Sequence, residues 1–441
     1  MKQQPIPRSQ RAAVTVASAP LDLESGCEYV HSNAKTAAHW RVGLEYELIG
    51  FDKGSYQRIS RIRVQELLRS LSERQGIPTL EDGSITALRM PYGDITLEPG
   101  GQIEFSGQPE RRLADNERGL QRFLTDLRAQ TTERGMFFVA LGFDPLRNLD
   151  EQSWIDKQRY RIMRPYLQGR GGHAWDMMTR TAAMQVNIDY GDDLDLGRKY
   201  VLGNRLGPIV AAMFANSPYA GGIATGLKST RYAVWLDTDP DRTGPGPESL
   251  SERFDLREYV RAVLEVPVLF LERNGALLDR AGQRLTDLSD ARVSDFRDLL
   301  SMIFTEARIR EYVEMRSADG GQPANAFALM ALWKGLTYDS STLQDALDVT
   351  PRLDRAGYRA LQMAVARDAL AARCEGVDVL TTARVLLSLA MAGLKKVAPD
   401  ELRHLDGLAQ NVIDDGVSPA DILLNDCGSD VERAMAAATV A

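Results

Sequence analysis

Two glutamates flank a sharp turn in the segment from residue 94 to residue 106. Glu98 precedes a Pro99-Gly100-Gly101 turn, and Glu104 follows it. Apolar and polar residues alternate on both sides, which predicts two half-buried strands joined by the turn. Because strand side chains repeat every second residue, we expect Glu98 and Glu104 on one face. Carboxylates held together repel unless a cation lies between them or one is protonated, and Mg²⁺ prefers such oxygen ligands. A hairpin with its charges in water is the alternative.

Three further segments carry polar pairs at the same two-residue spacing, and each alternates like a half-buried strand. If these strands and the hairpin form one antiparallel sheet, five carboxylates face a shared cavity. About two or three Mg²⁺ ions would neutralise them there and bridge nucleotide phosphates. Four unrelated, solvated strand faces are the alternative. The pairs are Glu45 and Glu47 within 40–51, Gln185 and Asn187 within 179–190, and Glu314 and Arg316 within 312–321.

Composition excludes several classes of protein. The chain has 441 residues and a formal net charge of -8, which argues against nucleic acid or an anionic membrane as its main partner. No apolar run reaches the length of a membrane span, and the N-terminus does not read as a signal peptide. The three cysteines lie far apart and form neither a zinc pattern nor a disulfide framework. We therefore expect a cytoplasmic protein that is a monomer or a homodimer and acts on small molecules.

Common catalytic motifs are missing from the sequence. The glycine-rich stretch 221–229 resembles a phosphate-binding P-loop, but Leu227 separates Gly226 from Lys228, and that motif needs Lys directly after Gly. The preceding residues also predict the end of a helix and not a strand. The four histidines show no metal-ligand spacing, and no G-x-S-x-G elbow is present. These observations leave the acidic strands as the candidate site.

Three regions follow from the patterning along the chain. Residues 1–20 are mostly polar or small and are expected to be flexible. Residues 21–340 combine the strands with amphipathic helices and form the expected catalytic domain, in which 231–235 is predicted as a strand and 154–160 as a loop. Residues 341–441 are rich in Ala and Leu at helical spacing, which predicts a helical C-terminal region packed on the same unit.

An ordered series of motifs resembles the plant and proteobacterial type of glutamate–cysteine ligase. The likeness covers about residues 40 to 340. Its motifs are Glu45-x-Glu47, Leu97-Glu-Pro-Gly-Gly-Gln-Ile-Glu-Phe-Ser106, Arg159-Tyr160-x-x-Met163, Asp176-Met-Met178, Gln185-Val-Asn187, Phe214-Ala-Asn-Ser-Pro218, Ser229-x-Arg231, Trp235-x-Asp-Thr-Asp239, Asp241-Arg-Thr-Gly244, Tyr312-x-Glu-Met-Arg316-x-Ala-Asp-Gly-Gly321 and Trp333-x-Gly-Leu-x-Tyr-Asp339.

The resemblance implies a fold and a reaction. The fold would be α+β, with a curved, funnel-like, mainly antiparallel sheet like that of glutamine synthetase, flanked by helices and completed by a helical C-terminal part. The reaction would be ATP-dependent: glutamate's γ-carboxylate is phosphorylated to γ-glutamyl phosphate, and an amino acid amine then displaces phosphate. Such phosphoryl transfer depends mostly on positioning and on neutralising charge.

The resemblance also implies roles for individual residues. Arg231 and Arg316 would contact substrate carboxylate or phosphate oxygens during catalysis, a task for which the arginine fork is suited; structural ion pairs are the alternative. The further implied roles are Mg²⁺ binding by Glu45, Glu47, Glu98, Glu104 and Glu314, substrate orientation by Gln185, Asn187 and Trp235, and nucleotide contacts by Arg242 and Glu47. Structural amides and a core tryptophan are the alternatives for the substrate-orienting residues.

Several positions depart from the family pattern and leave the acceptor open. Tyr46 stands where the family often has His, and Thr230 where it often has Met. Residues 322–325 replace a Pro-Trp-Arg-Arg-like stretch, and Asp156 replaces a Pro.

We expect ATP, Mg²⁺ and L-glutamate as ligands and L-cysteine as acceptor. The alternatives are an unusual small apolar or alkyne amino acid in a natural-product pathway, a ligase for another carboxylate such as aspartate, and a non-catalytic binding protein. The regulatory cysteine pair of plant members is not evident.

Overall fold

The computed structural model describes residues 19–147, 154–251, 253–273 and 275–441. Helices and strands mix along these ranges, so the predicted α+β class is confirmed. The strands are β1 (Val42–Asp52), β2 (Ile77–Glu81), β3 (Ser84–Met90), β4 (Gly93–Leu97), β5 (Ile103–Gly107), β6 (Met136–Val139), β7 (Ala183–Ile188), β8 (Tyr219–Ala220), β9 (Ile223–Ala224), β10 (Thr243–Gly244), β11 (Phe270–Arg273), β12 (Ala276–Asp279), β13 (Phe304–Thr305), β14 (Ala307–Ile309), β15 (Val313–Asp319), β16 (Arg373–Cys374) and β17 (Val377–Asp378).

The helices surround the strands and dominate the C-terminal part of the chain. They are α1 (Leu23–His31), α2 (Arg61–Ser72), α3 (Leu113–Glu133), α4 (Gln158–Leu167), α5 (Ala174–Arg180), α6 (Asp193–Met213), α7 (Thr230–Trp235), α8 (Leu256–Leu264), α9 (Val293–Leu300), α10 (Pro323–Thr337), α11 (Ser340–Asp348), α12 (Arg355–Asp368), α13 (Val379–Val397), α14 (Asp406–Ala409), α15 (Pro419–Cys427) and α16 (Val431–Ala437).

One large open sheet organises the molecule. Within the described ranges it has nine strands in the order β14-β15-β7-β1-β5-β4-β3-β2, with β6 paired to the far half of β1. All of its strand pairs are antiparallel. The central strand β1 pairs on one side with β7 and on the other side first with β5 and then with β6. The predicted antiparallel sheet is therefore confirmed.

The two faces of β1 have different surroundings because apolar and acidic residues alternate along it. Leu44, Tyr46 and Leu48 are buried, on the face where α10 packs against β1 and β7. The Tyr46 hydroxyl donates a hydrogen bond to the Gly321 carbonyl (2.7 Å), so the tyrosine that replaces the family's usual histidine is a core residue. Glu45 points to the opposite face, which is left for the site.

A hydrophobic core continues from the sheet into the C-terminal helices. One cluster of buried side chains includes Cys27 in α1, Trp333 in α10 and Leu387 in α13, and α13 packs directly on α10. The helical region after residue 340 thus packs on the strand-bearing part, although its limits as a domain stay a prediction. The expected flexibility of residues 1–20 concerns a segment of which 1–18 lie outside the described residues.

The structure corrects two local predictions. The residues Arg231–Trp235 do not form a strand but belong to the helix α7, whose first turn is capped when the Tyr232 amide donates to Ser229 Oγ (3.0 Å). The segment predicted as a loop around 154–160 enters the helix α4 at Gln158. Alternation over so few residues does not separate a strand from one helical turn, and the serine cap decides in favour of the helix.

The turn between β4 and β5 depends on its two glycines for different reasons. The Glu98 amide donates to the Gln102 carbonyl (2.9 Å), and the Gly101 amide donates back to the Glu98 carbonyl (2.9 Å). Gly101 has a φ of 82°, a conformation that residues with a Cβ rarely adopt. A Cβ on Gly100 would overlap the backbone carbonyl of Thr179. The turn can therefore lie against the end of α5 only if residue 100 has no side chain.

We expect Gly100→Ala to lower the free energy of unfolding by about 1–3 kcal/mol, because backbone atoms must move to admit the methyl group. Denaturant titration measures the loss. Gly54→Ala is the matched control, since a Cβ at that position would meet no other atom within 4 Å, and this variant should remain within about 1 kcal/mol of the parent protein. Equal stabilities for the two variants would contradict the role assigned to the close approach.

Candidate active site

A cavity of ≈ 640 Å³ lies on the acidic face of the sheet. Strands β1, β5 and β7, the turn after β4, and the helices α4, α5 and α7 contribute to its wall. Most of the predicted site residues line it together, which is the juxtaposition that the alternating pattern indicated. The predicted residues on the wall are Glu45, Glu47, Glu98, Glu104, Gln185, Asn187, Arg231, Trp235 and Arg316.

The strand register brings the carboxylates together. Glu47 of β1 lies directly opposite Glu104 of β5, and Glu45 lies opposite Gln185 of β7. Directly opposed side chains of an antiparallel pair have Cβ atoms about 4.5–5.5 Å apart. Glu98 enters the same wall from the turn. Four acidic side chains separated by up to 59 residues in sequence thus share one side of the cavity.

Burial and repulsion between neighbouring carboxylates raise the pKa of Glu45, Glu47 and Glu104 and so favour their neutral forms. Burial raises the pKa of Glu47 to about 8; Glu98 adds to the increase, whereas Arg231 opposes it. Burial also raises the pKa of Glu104 well above its usual value, with further contributions from Glu45, Glu98 and Glu47. Burial and the charge of Glu314 raise the pKa of Glu45. A cation on this wall would reverse these shifts, because it would stabilise the charged carboxylates.

Amide side chains on β7 hold two of the glutamates in place. Gln185 Nε2 donates to Glu47 Oε1 (3.2 Å), and the Ala183 amide donates to Glu47 Oε2 (2.8 Å). Asn187 Nδ2 donates to Glu45 Oε1 (2.9 Å). Within the described residues, Asn187 Oδ1 is buried without a hydrogen-bond donor, so it is available to a ligand. Both predicted amides therefore contact the acidic wall directly.

Glu314 shares the same face of the sheet but occupies a different environment. It lies opposite Asn187, yet it is fully buried and does not belong to the cavity wall. Arg308 Nε donates to Glu314 Oε2 (2.8 Å), and Arg316 donates to its other oxygen. Burial alone would raise the pKa of Glu314, but these arginines outweigh it and lower the pKa to about 2. The geometry makes Glu314 an arginine partner, which is not the role that the resemblance implied.

The two predicted catalytic arginines differ in how far their donors are already engaged. Arg231 donates to the carbonyls of Ser317 (3.3 Å) and Arg316 (2.9 Å), and its Nε is buried with no acceptor among the described residues. Arg316 donates through one terminal nitrogen to Gln185 Oε1 (2.6 Å) and to Glu314. Both guanidinium groups lie beside the Trp235 ring, 5.9 and 5.6 Å from its centroid. Trp235 is half-buried and joins the cavity wall.

Arg242 does not take part in the cavity, contrary to its predicted nucleotide role. Its Nε donates to Asp239 Oδ2 (2.6 Å), and its terminal nitrogens donate to the carbonyls of Met302 (3.2 Å) and Pro267 (3.0 Å). The side chain is buried and is absent from the cavity wall over the described ranges. These hydrogen bonds and the buried partner carboxylate give Arg242 a structural role that joins the segments around 240, 267 and 302.

Six cations on the cavity wall were not assigned from the sequence: Lys35, Arg41, Lys157, Arg159, Arg308 and Arg310. Lys157 Nζ donates to the Leu97 carbonyl (2.7 Å), next to Glu98, and burial lowers its pKa. In the described part of the chain Arg159 forms no ion pair and lies over the rings of Tyr160 and Phe270. Arg308 and Arg310 alternate with apolar neighbours in and just after β14. This two-residue period could have predicted a strand with both arginines on one face.

The donor set fits a hard divalent cation, although no preformed metal centre is present. No group of three or more His, Cys, Asp or Glu side chains is arranged as a metal site within the described residues. The wall nevertheless offers only oxygen ligands from Glu45, Glu47, Glu98 and Glu104, plus the unpartnered Asn187 Oδ1. Carboxylate and amide oxygens are the ligands of Mg²⁺, which is usually bound through one or two carboxylates together with substrate phosphates.

A solved structure shares the fold of this chain. The structure resembles that of the glutamate–cysteine ligase of Francisella tularensis in complex with AMP, with a TM-score of 0.57 and 14% sequence identity, covering 90% of this chain and 87% of that chain. At this identity the likeness establishes the fold alone. It confirms the predicted α+β fold, with a mainly antiparallel sheet flanked by helices.

Sequence comparison then gives the family. The profile of glutamate–cysteine ligase family 2 matches residues 41–437. The chloroplastic glutamate–cysteine ligases of Brassica juncea and Medicago truncatula are each 34% identical over 420 residues, covering 93% of this chain and 82% of each relative. The enzyme of Arabidopsis thaliana is also 34% identical, over 93% of this chain and 80% of its own length. The chain belongs to glutamate–cysteine ligase family 2.

Family membership decides several predictions. The predicted ATP-dependent glutamate–cysteine ligase class is confirmed, and the comparisons support neither an unusual acceptor nor a non-catalytic protein. The predicted cytoplasmic location is wrong on these comparisons, because the similar plant enzymes are named as chloroplastic. Among the described residues no helix is long and apolar enough to cross a membrane. The three cysteines are all free thiols.

The raised pKa of Glu47 predicts a pH-dependent stability in the absence of metal. The folded protein holds a proton on Glu47 up to about pH 8, whereas an unfolded chain releases it near pH 4.3. The stabilisation is therefore complete below about pH 4.3 and is lost as the pH rises through about 8. In EDTA, Glu47→Gln should raise the free energy of unfolding by at least about 1 kcal/mol at pH 9 and change it little at pH 4.

Denaturant unfolding between pH 4 and pH 9 tests this expectation. Glu66→Gln, which alters an exposed glutamate of α2, is the matched control and should follow the parent protein at both ends of the range. If Glu47→Gln and the parent protein differ in free energy of unfolding by the same amount at pH 4 and pH 9, the raised pKa of Glu47 is contradicted.

Proposed function

We propose that the acidic wall binds Mg²⁺ through Glu45, Glu47, Glu98 and Glu104, and that the cavity uses it to join L-glutamate to L-cysteine at the expense of ATP. The observation that carries the proposal is the convergence of these four carboxylates opposite a set of arginines in one cavity. The metal, when bound, would neutralise the phosphate oxygens of ATP and orient its terminal phosphate. Glu47 would also contact the nucleotide through that metal.

The reaction consists of two displacements in the same cavity. In the first, an oxygen of the glutamate γ-carboxylate bonds to the terminal phosphorus of ATP, while the bond from that phosphorus to ADP breaks. In the second, the cysteine amine bonds to the γ-carbonyl carbon and gives up one proton to the departing phosphate or to solvent, while the carbon–oxygen bond to phosphate breaks. Both steps place negative charge on oxygens that must be held in line, so fixed cations and hydrogen-bond donors provide most of the stabilisation.

The arginines are the groups that would receive these oxygens. Arg316 keeps two guanidinium nitrogens without a hydrogen-bond partner among the described residues, while its third is anchored by Gln185 and Glu314. A guanidinium fixed on one side and free on the other can bind an oxyanion with little reorganisation. Arg231 also lies beside the Trp235 ring and lines the cavity, where it would contribute its positive charge. Glu314 positions Arg316 and Arg308, and is not proposed as a metal ligand.

Gln185 and Asn187 would connect the two halves of the site. Gln185 donates to Glu47 on the acidic side and accepts from Arg316 on the basic side. Asn187 holds Glu45 and presents its free Oδ1. A ligand that spans metal and arginines would therefore pass over these amides, which supports their predicted role in orienting substrate. Arg159, which has no ion-pair partner within the described ranges, is a further cation for the polyphosphate.

Glu98→Gln should lower kcat by about 100-fold or more, because it removes a charge from the metal-binding wall. The turn itself uses only the backbone of Glu98, so the melting temperature should stay unchanged. Phosphate release with ATP, Mg²⁺, glutamate and cysteine measures the rate, and Mg²⁺ should raise the melting temperature of the variant less than that of the parent. Glu66→Gln serves as the control. Full turnover by Glu98→Gln would refute the metal-binding role.

Arg316→Lys keeps the charge and loses the planar fork, so kcat should fall by about 10²–10³ with a small change in stability. Arg242→Lys is the comparison, because Arg242 lies outside the cavity. Loss of its hydrogen bonds should lower the free energy of unfolding by about 1–3 kcal/mol and leave the equilibrium binding of Mg·ADP intact. Calorimetric binding, steady-state kinetics and denaturant titration of both variants distinguish the two roles. An Arg242→Lys protein that folds fully but no longer binds Mg·ADP would restore the nucleotide role predicted from sequence.

A further inference from the structure

A second, much smaller cavity lies behind the tryptophan of the active-site wall. Its volume is ≈ 30 Å³, which exceeds the space that one water molecule needs. Arg231, Trp235 and Arg316 separate it from the main cavity and line both. On its far side lie Glu306 and Gln362. The small cavity thus adjoins the two arginines and the indole proposed to face the substrates.

Three buried polar atoms around this small cavity lack hydrogen-bond partners among the described residues. Two are donors, Arg231 Nε and Trp235 Nε1, and one is an acceptor, Gln362 Oε1. Buried polar groups in native proteins nearly always have a partner, either protein or ordered water. A single water can accept two hydrogen bonds and donate two, which is enough for two donors and one acceptor.

Glu306 fixes the residue that supplies the acceptor. Gln362 Nε2 donates to Glu306 Oε1 (2.8 Å), which also accepts from the Tyr232 hydroxyl (2.5 Å). The Ser317 hydroxyl donates to Glu306 Oε2 (2.7 Å). Gln362 Nε2 also donates to the Tyr232 hydroxyl (3.4 Å). Because both N–H groups of the amide have partners, the Gln362 side chain can offer only its oxygen elsewhere.

Glu306 is unusual because its carboxylate is buried and held by neutral donors alone. Within the described residues no lysine, arginine or histidine lies within ion-pair distance of it. A buried carboxylate without a paired cation is costly. The backbone of Glu306 also contacts the site, since its carbonyl accepts from the Arg316 amide (2.9 Å).

We propose that Glu306 is a positioning residue that acts through Gln362 and a buried water to fix the Arg231 guanidinium and the Trp235 indole on the cavity wall. The chain of contacts runs from Glu306 to Gln362, from the Gln362 oxygen to the water, and from the water to Arg231 Nε and Trp235 Nε1. For its catalytic consequence the inference rests on the proposed function, in which Arg231 contacts anionic oxygens. If the network served stability alone, a folded variant that lacks it would keep the indole N–H signal of Trp235 and the kcat of the parent protein.

The indole N–H reports the buried water without reference to activity. In protein labelled with ¹⁵N at its five tryptophans, Trp235→Phe identifies the signal of Trp235. Gln362→Met removes the acceptor and Glu306→Gln removes the charge that orients it, and each should shift this signal. Tyr358→Phe is the matched control: it lies on the same helix, and its buried hydroxyl donates to the Asn204 carbonyl (2.5 Å), away from the small cavity. If the Trp235 indole signal does not shift in Gln362→Met, the proposal is overturned. If Glu306→Gln does not fold, Gln362→Met alone tests the buried water.

Kinetics test the catalytic consequence. Gln362→Met should lower kcat by about tenfold, since a small misplacement of a positioned group costs a large factor, while KM for ATP and glutamate stays within about twofold. In an Arg231→Lys background the same substitution should have less than a twofold effect, because the group it positions is already altered. Equal losses in both backgrounds, or no loss in the parent, would overturn the proposal. Full kcat in Arg231→Lys alone would instead refute the proposed catalytic role of Arg231. The indole signal would still test whether Glu306 and Gln362 position the Trp235 side chain.

Discussion

Repulsion between like charges is the constraint on which the site depends. Glu47 and Glu104 face each other across adjacent strands, with Glu45 and Glu98 close by, and burial makes their simultaneous ionisation costly. The fold tolerates this arrangement because the opposite face of these strands is packed against helices, α10 on β1 and α3 on β5. The strands therefore cannot slip by one residue without exposing the core. The hydrophobic effect thus holds four acids where electrostatics alone would separate them, and their affinity for a cation follows from that conflict.

The contrast between Glu47 and Glu314 shows how neighbours decide the behaviour of one residue type. Both lie on the same face of the same sheet, and burial raises the pKa of each. Arg308 and Arg316 reverse the effect at Glu314, where the pKa is about 2, whereas Glu47 has acidic neighbours and a pKa of about 8. The sheet therefore presents one basic and one acidic side to a single cavity, an arrangement suited to a substrate that carries both anionic oxygens and a bound metal.

Much of this could be predicted from the sequence because a strand repeats every two residues. That period located β1, β4, β5, β7 and β15 and placed their polar side chains on a common face. It failed for Arg231, because a serine cap turned a short alternating segment into a helix. It also could not assign Glu314 or Arg242, since their partners Arg308 and Asp239 are chosen by tertiary contacts. The alternation around Arg308 could have placed it on a strand, but its role depends on Glu314, which becomes its neighbour only in the folded sheet.

The central position of β1 has a consequence for how the protein matures. Its partners are β5, β6 and β7, and β7 is joined in turn to β15, which ends at Asp319. On a ribosome the emerging chain would hold β1 unpaired on one side until residue 188 has been made, and the basic edge of the cavity could not close before residue 319. Such dependence on distant segments slows folding. It also leaves a long strand with one free edge during synthesis, and a free strand edge can pair with other chains. A chaperone would protect the unpaired edge of β1 most effectively before β7 has been made.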